Sequence, residues 1–132
     1  MTVQRVNPPS LPRPSGFSHA VIASGGRLIF LAGQTALDAA GSVVGDTVPG
    51  QFEQALGNLL TALRAAGGTP GQLASLTVYV TDLDDYRAHG REIGAIWRRL
   101  AGTDYPAMAA VEVSRLWDTA ALVEISGFAV AG

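Results

Sequence analysis

Two residue types are missing from this chain of 132 residues: it holds no cysteine, and its nine basic residues are all arginine. Without cysteine there is no disulfide framework, thiol nucleophile, iron–sulfur ligand or cysteine-type zinc site. Without lysine there is no Schiff-base catalyst, no pyridoxal phosphate anchor and no Walker-type phosphate lysine. Histidine is nearly as scarce, since His19 and His89 stand far apart and no His-x-x-x-His or His-x-Glu spacing supports a zinc or di-metal centre.

Charge is also sparse. A net charge of −2 with 15% charged residues, and a largest basic cluster of only Arg98-Arg99, leaves no electrostatic footprint for a polyanion, so nucleic acid is not expected as a partner. No apolar run is long enough to span a bilayer, and the first twenty residues lack the hydrophobic stretch of a secretory signal. The expectation is a soluble, cytoplasmic protein without membrane contact. Its length suits one domain that buries roughly two-thirds of its unfolded surface.

What is present reads as alternating strands and helices. Pro8, Pro9, Pro12 and Pro14 remove backbone donors and favour extended neighbours, which makes residues 1–15 an arm ahead of a single domain over 16–132. His19–Ala23 and Arg27–Gln34 are apolar runs separated by Ser24-Gly25-Gly26, a pattern that predicts a β-hairpin. Thr47 as cap, Pro49 just inside, and Phe52, Leu56, Leu59, Leu60 and Leu63 at helical spacing predict an amphipathic helix ending at Gly67-Gly68. Leu76–Thr81 is a β-branched strand. A second helix follows, capped by Asp82, Asp84 or Asp85, with Tyr86, Ile93, Ile96, Trp97 and Leu100 as its buried stripe and Gly102 as its end. Strands about Ala107–Ser114 and Ala120–Val130 close the chain. The order β-β-α-β-α-β-β is an α+β fold, one sheet with two helices on one face.

Strand composition bears on assembly. In Leu28-Ile29-Phe30-Leu31-Ala32, and less strictly in Ala120–Ile125, both alternating sets are apolar, so both sheet faces want burial. Helices joined by right-handed crossovers cover one face only. The other is best covered by further copies of the chain, which predicts a homo-oligomer with sites at the subunit seams.

Several residues carry candidate chemistry. Glu124 interrupts an apolar strand; if buried it acts as a proton donor or acceptor near neutrality, and if the strand is an edge it is a solvated carboxylate. Glu112 in Val-Glu-Val poses the same alternative. Gly33-Gln34 ends a strand and forms either an anion-binding corner or an ordinary turn or bulge. Gly90 and Gly94, four apart in the second helix, favour close backbone packing over ligand contact. His19 is a pocket residue or merely hydrogen-bonded, and His89 belongs to a solvated helix face.

Taken in order, Gly16-Phe17-Ser18-His19-Ala20, Phe30-Leu31-Ala32-Gly33-Gln34, Gln51–Leu59, Leu76–Asp82, Pro106–Val113 and Leu122-Val123-Glu124-Ile125 resemble the Rid family, the RidA/YjgF-like reactive-intermediate deaminases also called the endoribonuclease L-PSP family. The resemblance spans about Gly16 to Ala129. It implies a chorismate-mutase-like fold and a homotrimer with clefts between adjacent subunits, where active members hydrolyse enamines and imines such as 2-aminoacrylate to keto acids and ammonia with no metal or cofactor. It implies Glu124 as the catalytic, water-positioning residue and Phe17, Ala32, Gly33, Gln34, Gly90 and Met108 as substrate-binding positions. Four depart from the active pattern: Met108 replaces the arginine that clamps the substrate carboxylate, Phe17 a tyrosine, Ala32 a serine and Gly90 an asparagine.

The resulting expectation is a Rid-like hydrolase for a small imine, enamine or related metabolite, distinct from 2-aminoacrylate-type imino acids. The alternative is a non-catalytic or regulatory trimer that binds a small metabolite in the same cleft. A ribonuclease or translation-inhibitor role ranks below both because basic residues are few. Arg115, at a strand end, is a possible substitute for the missing clamp.

Overall fold

The computed structural model describes residues 3–132. Its strands are β1 (Val3–Val6), β2 (Ala20–Ala23), β3 (Arg27–Gln34), β4 (Leu73–Val80), β5 (Ala107–Glu112) and β6 (Val123–Ala131); its helices are α1 (Val48–Ala65), α2 (Leu83–Ala88) and α3 (Gly90–Ala101). The main sheet has the order β3-β6-β4-β5, antiparallel except for the parallel pair β4 and β5. The crossovers through α1 and through α2–α3 lay all the helices on one face, as right-handed connections require.

α1 forms where its sequence signals place it. The Thr47 hydroxyl accepts a hydrogen bond from the Gly50 amide at 3.2 Å, and Pro49 falls in the first turn, where no amide is needed. Its Phe52, Leu56, Leu59, Leu60 and Leu63 pack on Ile29, Leu31, Leu76, Val78, Val123 and Ile125 of the sheet. Gln51 is buried beside this cluster with every polar atom used. Its Nε2 donates to the carbonyls of Gly45 and Ala120, both at 3.0 Å, and its Oε1 accepts from the Leu122 amide at 2.7 Å.

Two local expectations are corrected. Gly25 and Gly26 do make a positive-φ turn, at 68° and 75°, but β2 and β3 do not form a hairpin. Instead β2 pairs with β1 in a separate two-stranded ribbon, and β3 pairs with β6. Gly26 serves that second pairing: a Cβ there would lie 2.8 Å from the Ala131 carbonyl carbon at the end of β6. The second helix is in turn two helices, broken at His89. Asp82 caps α2 by accepting from the Asp85 amide at 3.0 Å, and Glu112 accepts from the Leu83 amide at 3.0 Å, which gives Glu112 a structural task.

The proline-bearing segment is tied down at several points. Arg5 donates to the Gly71 carbonyl at 2.7 Å, and the His19 amide donates to Asn7 Oδ1 at 2.7 Å. The His19 ring pairs through Nε2 with the Pro12 carbonyl at 2.7 Å and meets the Phe17 ring edge-on. His19 is therefore a hydrogen-bonded anchor of the arm.

Candidate functional site

Register decides which face each candidate side chain occupies. Tyr79 of β4 is opposite Glu124 of β6, while its neighbours Val78 and Val80 point into the helix-covered core, so Glu124 and Tyr79 lie on the face without helices. Between Leu31 and Gln34 the β3–β6 register shifts, because β3 carries one extra residue there. This bulge brings Gly33 over the Glu124 carboxylate. A Cβ on Gly33 would clash with Glu124 Oε2 and lie 2.8 Å from its Cδ. Only glycine leaves the carboxylate where it is. Glu124 is half-buried, and no group of the described residues hydrogen-bonds to it or forms an ion pair with it.

The same face is apolar and bare. Phe30 is 77% exposed and packs on Phe128 with ring centroids 6.0 Å apart, and Leu28 and Val111 are exposed as well. Ala32 is exposed near its edge. Gln34 pairs with Ile125 and so takes the α1 side, where it borders a groove with Gln54 and Asn58. Gln34 and Glu124 are therefore separated within one chain.

The other candidates gather across the sheet. Met108 is opposite the core residue Leu76 and thus faces the helices. It borders a cavity of about 280 Å³ between β5 and α1–α3, together with Tyr86, Gly90, Gly94, Trp97 and Tyr105. Phe17 joins Met108 and Tyr86 around an adjoining hollow of about 160 Å³. Ser18 fixes this corner by donating its hydroxyl to the Tyr105 carbonyl at 2.7 Å and its amide to the Pro106 carbonyl at 2.9 Å. Burial pushes the Tyr86 hydroxyl up to about 12, so it stays protonated and able to donate.

The packing expectation for Gly90 is overturned, because a Cβ there would meet nothing within 4 Å. Its missing side chain opens the cavity. Arg115 is exposed and lines neither hollow. Tyr86 and Trp97 were legible only as members of a buried stripe, and Tyr105 and Arg98 gave no functional signal; the glycine pair, spaced to clear one helix face, was the available clue. Among the described residues no cluster of three or more histidine, aspartate or glutamate side chains is disposed to hold a metal, and no helix is long and apolar enough to cross a membrane.

A mixed sheet with its helices on one face and a bare apolar face bearing a lone carboxylate defines a chorismate-mutase-like α+β protein. The chain belongs to the endoribonuclease L-PSP family, the Rid and YjgF-like proteins, whose model matches residues 10–131. It is 34% identical over 120 residues to a RutC family protein of Pyrococcus horikoshii, covering 89% of this chain and 90% of the relative. It is 32% identical over 117 residues to the 2-iminobutanoate/2-iminopropanoate deaminase of Capra hircus, covering 88% and 80%. A Rid-family protein of unknown function from Yersinia pestis superposes with a TM-score of 0.88 at 35% identity, covering 99% of this chain and all of the other. The Escherichia coli protein TdcF, solved with bound serine, superposes with a TM-score of 0.71 at 26% identity over 91% of each chain.

Proposed function

We propose that the chain is a cofactor-independent hydrolase of a small imine or enamine, acting in clefts between copies of itself in a homotrimer. Water adds to the imine carbon, the carbon–nitrogen bond breaks, ammonia leaves and a carbonyl compound remains. Glu124 takes a proton from the attacking water and returns one to the departing nitrogen. The carrying observation is the Glu124 carboxylate, seated over Gly33 without a partner among the described residues, on an uncovered apolar face. Family membership and relatives named as imine deaminases support the same reading. A neighbouring copy docked on that face supplies the wall opposite Glu124, from the side that carries Phe17, Gly90 and Met108.

Met108 shapes the choice of substrate. A bidentate arginine clamp on a carboxylate contributes about 1.5–3 kcal/mol, and a methionine offers only apolar contact. Steady-state ammonia release is expected to be poor with 2-iminopropionate and 2-iminobutyrate and to rise about 10-fold or more in Met108→Arg at low substrate. Rapid wild-type turnover of these imino acids would contradict the substrate assignment. Loss of turnover of any imine in Glu124→Gln supports the enzyme, and a bound metabolite recovered unchanged supports the non-catalytic alternative.

A further inference from the structure

The charged side chain in the lining of the 280 Å³ cavity is Arg98, and the structure gives it a seat. Side chains on a helix lean toward its N-terminus, over the residue one turn earlier. For Arg98 that residue is Gly94, and a Cβ on Gly94 would lie 3.3 Å from the guanidinium nitrogen Nη1. The glycine leaves the guanidinium room to lie along α3 at the cavity, and Gly90, one turn further back, leaves the space beyond it open. Gly94, inside α3, costs about 1 kcal/mol relative to alanine, so its place beside Arg98 calls for a purpose.

Arg98 and Arg99 differ in what they do. Both are in the last turn of α3, where cations complement the helix dipole. Arg99 is engaged in an ion pair with Glu53 of α1, whereas Arg98 has no carboxylate partner among the described residues. Trp97, next in sequence, belongs to the same lining. Trp97 is 4% exposed and its indole Nε1 is buried without an acceptor, although buried polar groups are nearly always paired. Besides Ser15 and Tyr86, the remaining wall is apolar or aromatic, with Met108, Ile93 and Tyr105, whose ring stacks on Trp97 with centroids 6.1 Å apart.

We infer that this cavity binds a small organic carboxylate with an apolar or aryl body, Arg98 holding the carboxylate and the Trp97–Tyr105 and Met108 surfaces taking the body. Arg98, exposed at the cavity and without a carboxylate partner among the described residues, is the cation such an anion pairs with, and the volume suits a small metabolite. This deepens the reading above and rests on it for one consequence: a substrate carries its carboxylate at Arg98, spaced by an apolar body from the carbon that reacts. Arg98 acts as a specificity-determining residue.

Phenylacetate and its neutral analogue phenylacetamide probe the site by calorimetry, and by Trp97 fluorescence in a Trp117→Phe background. Saturable phenylacetate binding is expected, weakened at least 10-fold by Arg98→Gln and by removal of the ligand's charge in phenylacetamide. Gly94→Ala separates binding from folding, because it is expected to raise the melting temperature while weakening phenylacetate as its Cβ displaces the guanidinium. Absence of saturable binding, or equal affinity in wild type and Arg98→Gln, overturns the assignment. Ammonia release is measured on the same preparations. An inactive protein that binds phenylacetate through Arg98 overturns the deaminase and leaves this site standing, whereas an active one that binds it independently of Arg98 does the reverse.

Discussion

At the scale of single residues, the chain uses its few buried polar groups to fix loops. Gln51 joins α1 to the loops at Gly45 and Ala120 and to Leu122, just before β6. Gln51→Leu keeps the volume but strands two carbonyls and an amide in the interior. Unsatisfied buried groups cost about 1–3 kcal/mol each, and partial rehydration brings the expected loss of unfolding free energy to about 3 kcal/mol. Urea denaturation checks it, and a loss below about 1 kcal/mol would show that these bonds are not what holds the loops. This residue was not legible in sequence, where a glutamine in an amphipathic helix reads as solvated. Glu124 stood out because a carboxylate among apolar strand residues is conspicuous, yet the bulge that seats it over Gly33 is a matter of cross-strand register that no local pattern encodes.

At the scale of elements, legibility follows locality. α1 could be drawn from Thr47, Pro49 and the leucine spacing because cap, first turn and apolar stripe all lie within its own residues. The hairpin expectation failed because turn chemistry at Gly25-Gly26 sets backbone angles and does not choose strand partners. β2 found β1, a four-residue strand hidden just before Pro8 and Pro9, and β3 found β6 from the far end of the chain. The break between α2 and α3 lies at His89, whose Nδ1 donates to the Asp85 carbonyl at 2.9 Å and sits 3.0 Å from its carboxylate. That backbone bond, with the Asp85 and Glu92 charges, raises His89 above its ordinary value of 6.5. The protonated ring favours the folded junction, so its contribution is complete below the unfolded value near 6.5 and is lost as pH rises through the higher folded value. Proton NMR of the His89 ring is expected to show a midpoint above 6.5 that falls part of the way back in Asp85→Asn. A wild-type midpoint at or below 6.5 would contradict the junction geometry.

At the scale of the whole molecule, the decisive feature is the sheet face that the helices leave bare. Its apolar character was visible in Leu28-Ile29-Phe30-Leu31-Ala32, since a strand meant for one-sided burial alternates and this one does not. The structure leaves Leu28, Phe30 and Phe128 exposed on that face, beside Glu124, with Met108 and Phe17 across the sheet. A single copy therefore separates the carboxylate from the cavity; in the proposed trimer, copies stacked on the bare face would bury the phenylalanines and close the site. The direct measurement is the mass of the purified protein by light scattering at micromolar concentration. Three times the chain mass of 13.6 kDa is expected, with Phe30→Asp lowering it, and a wild-type mass of one chain would contradict the proposed trimer.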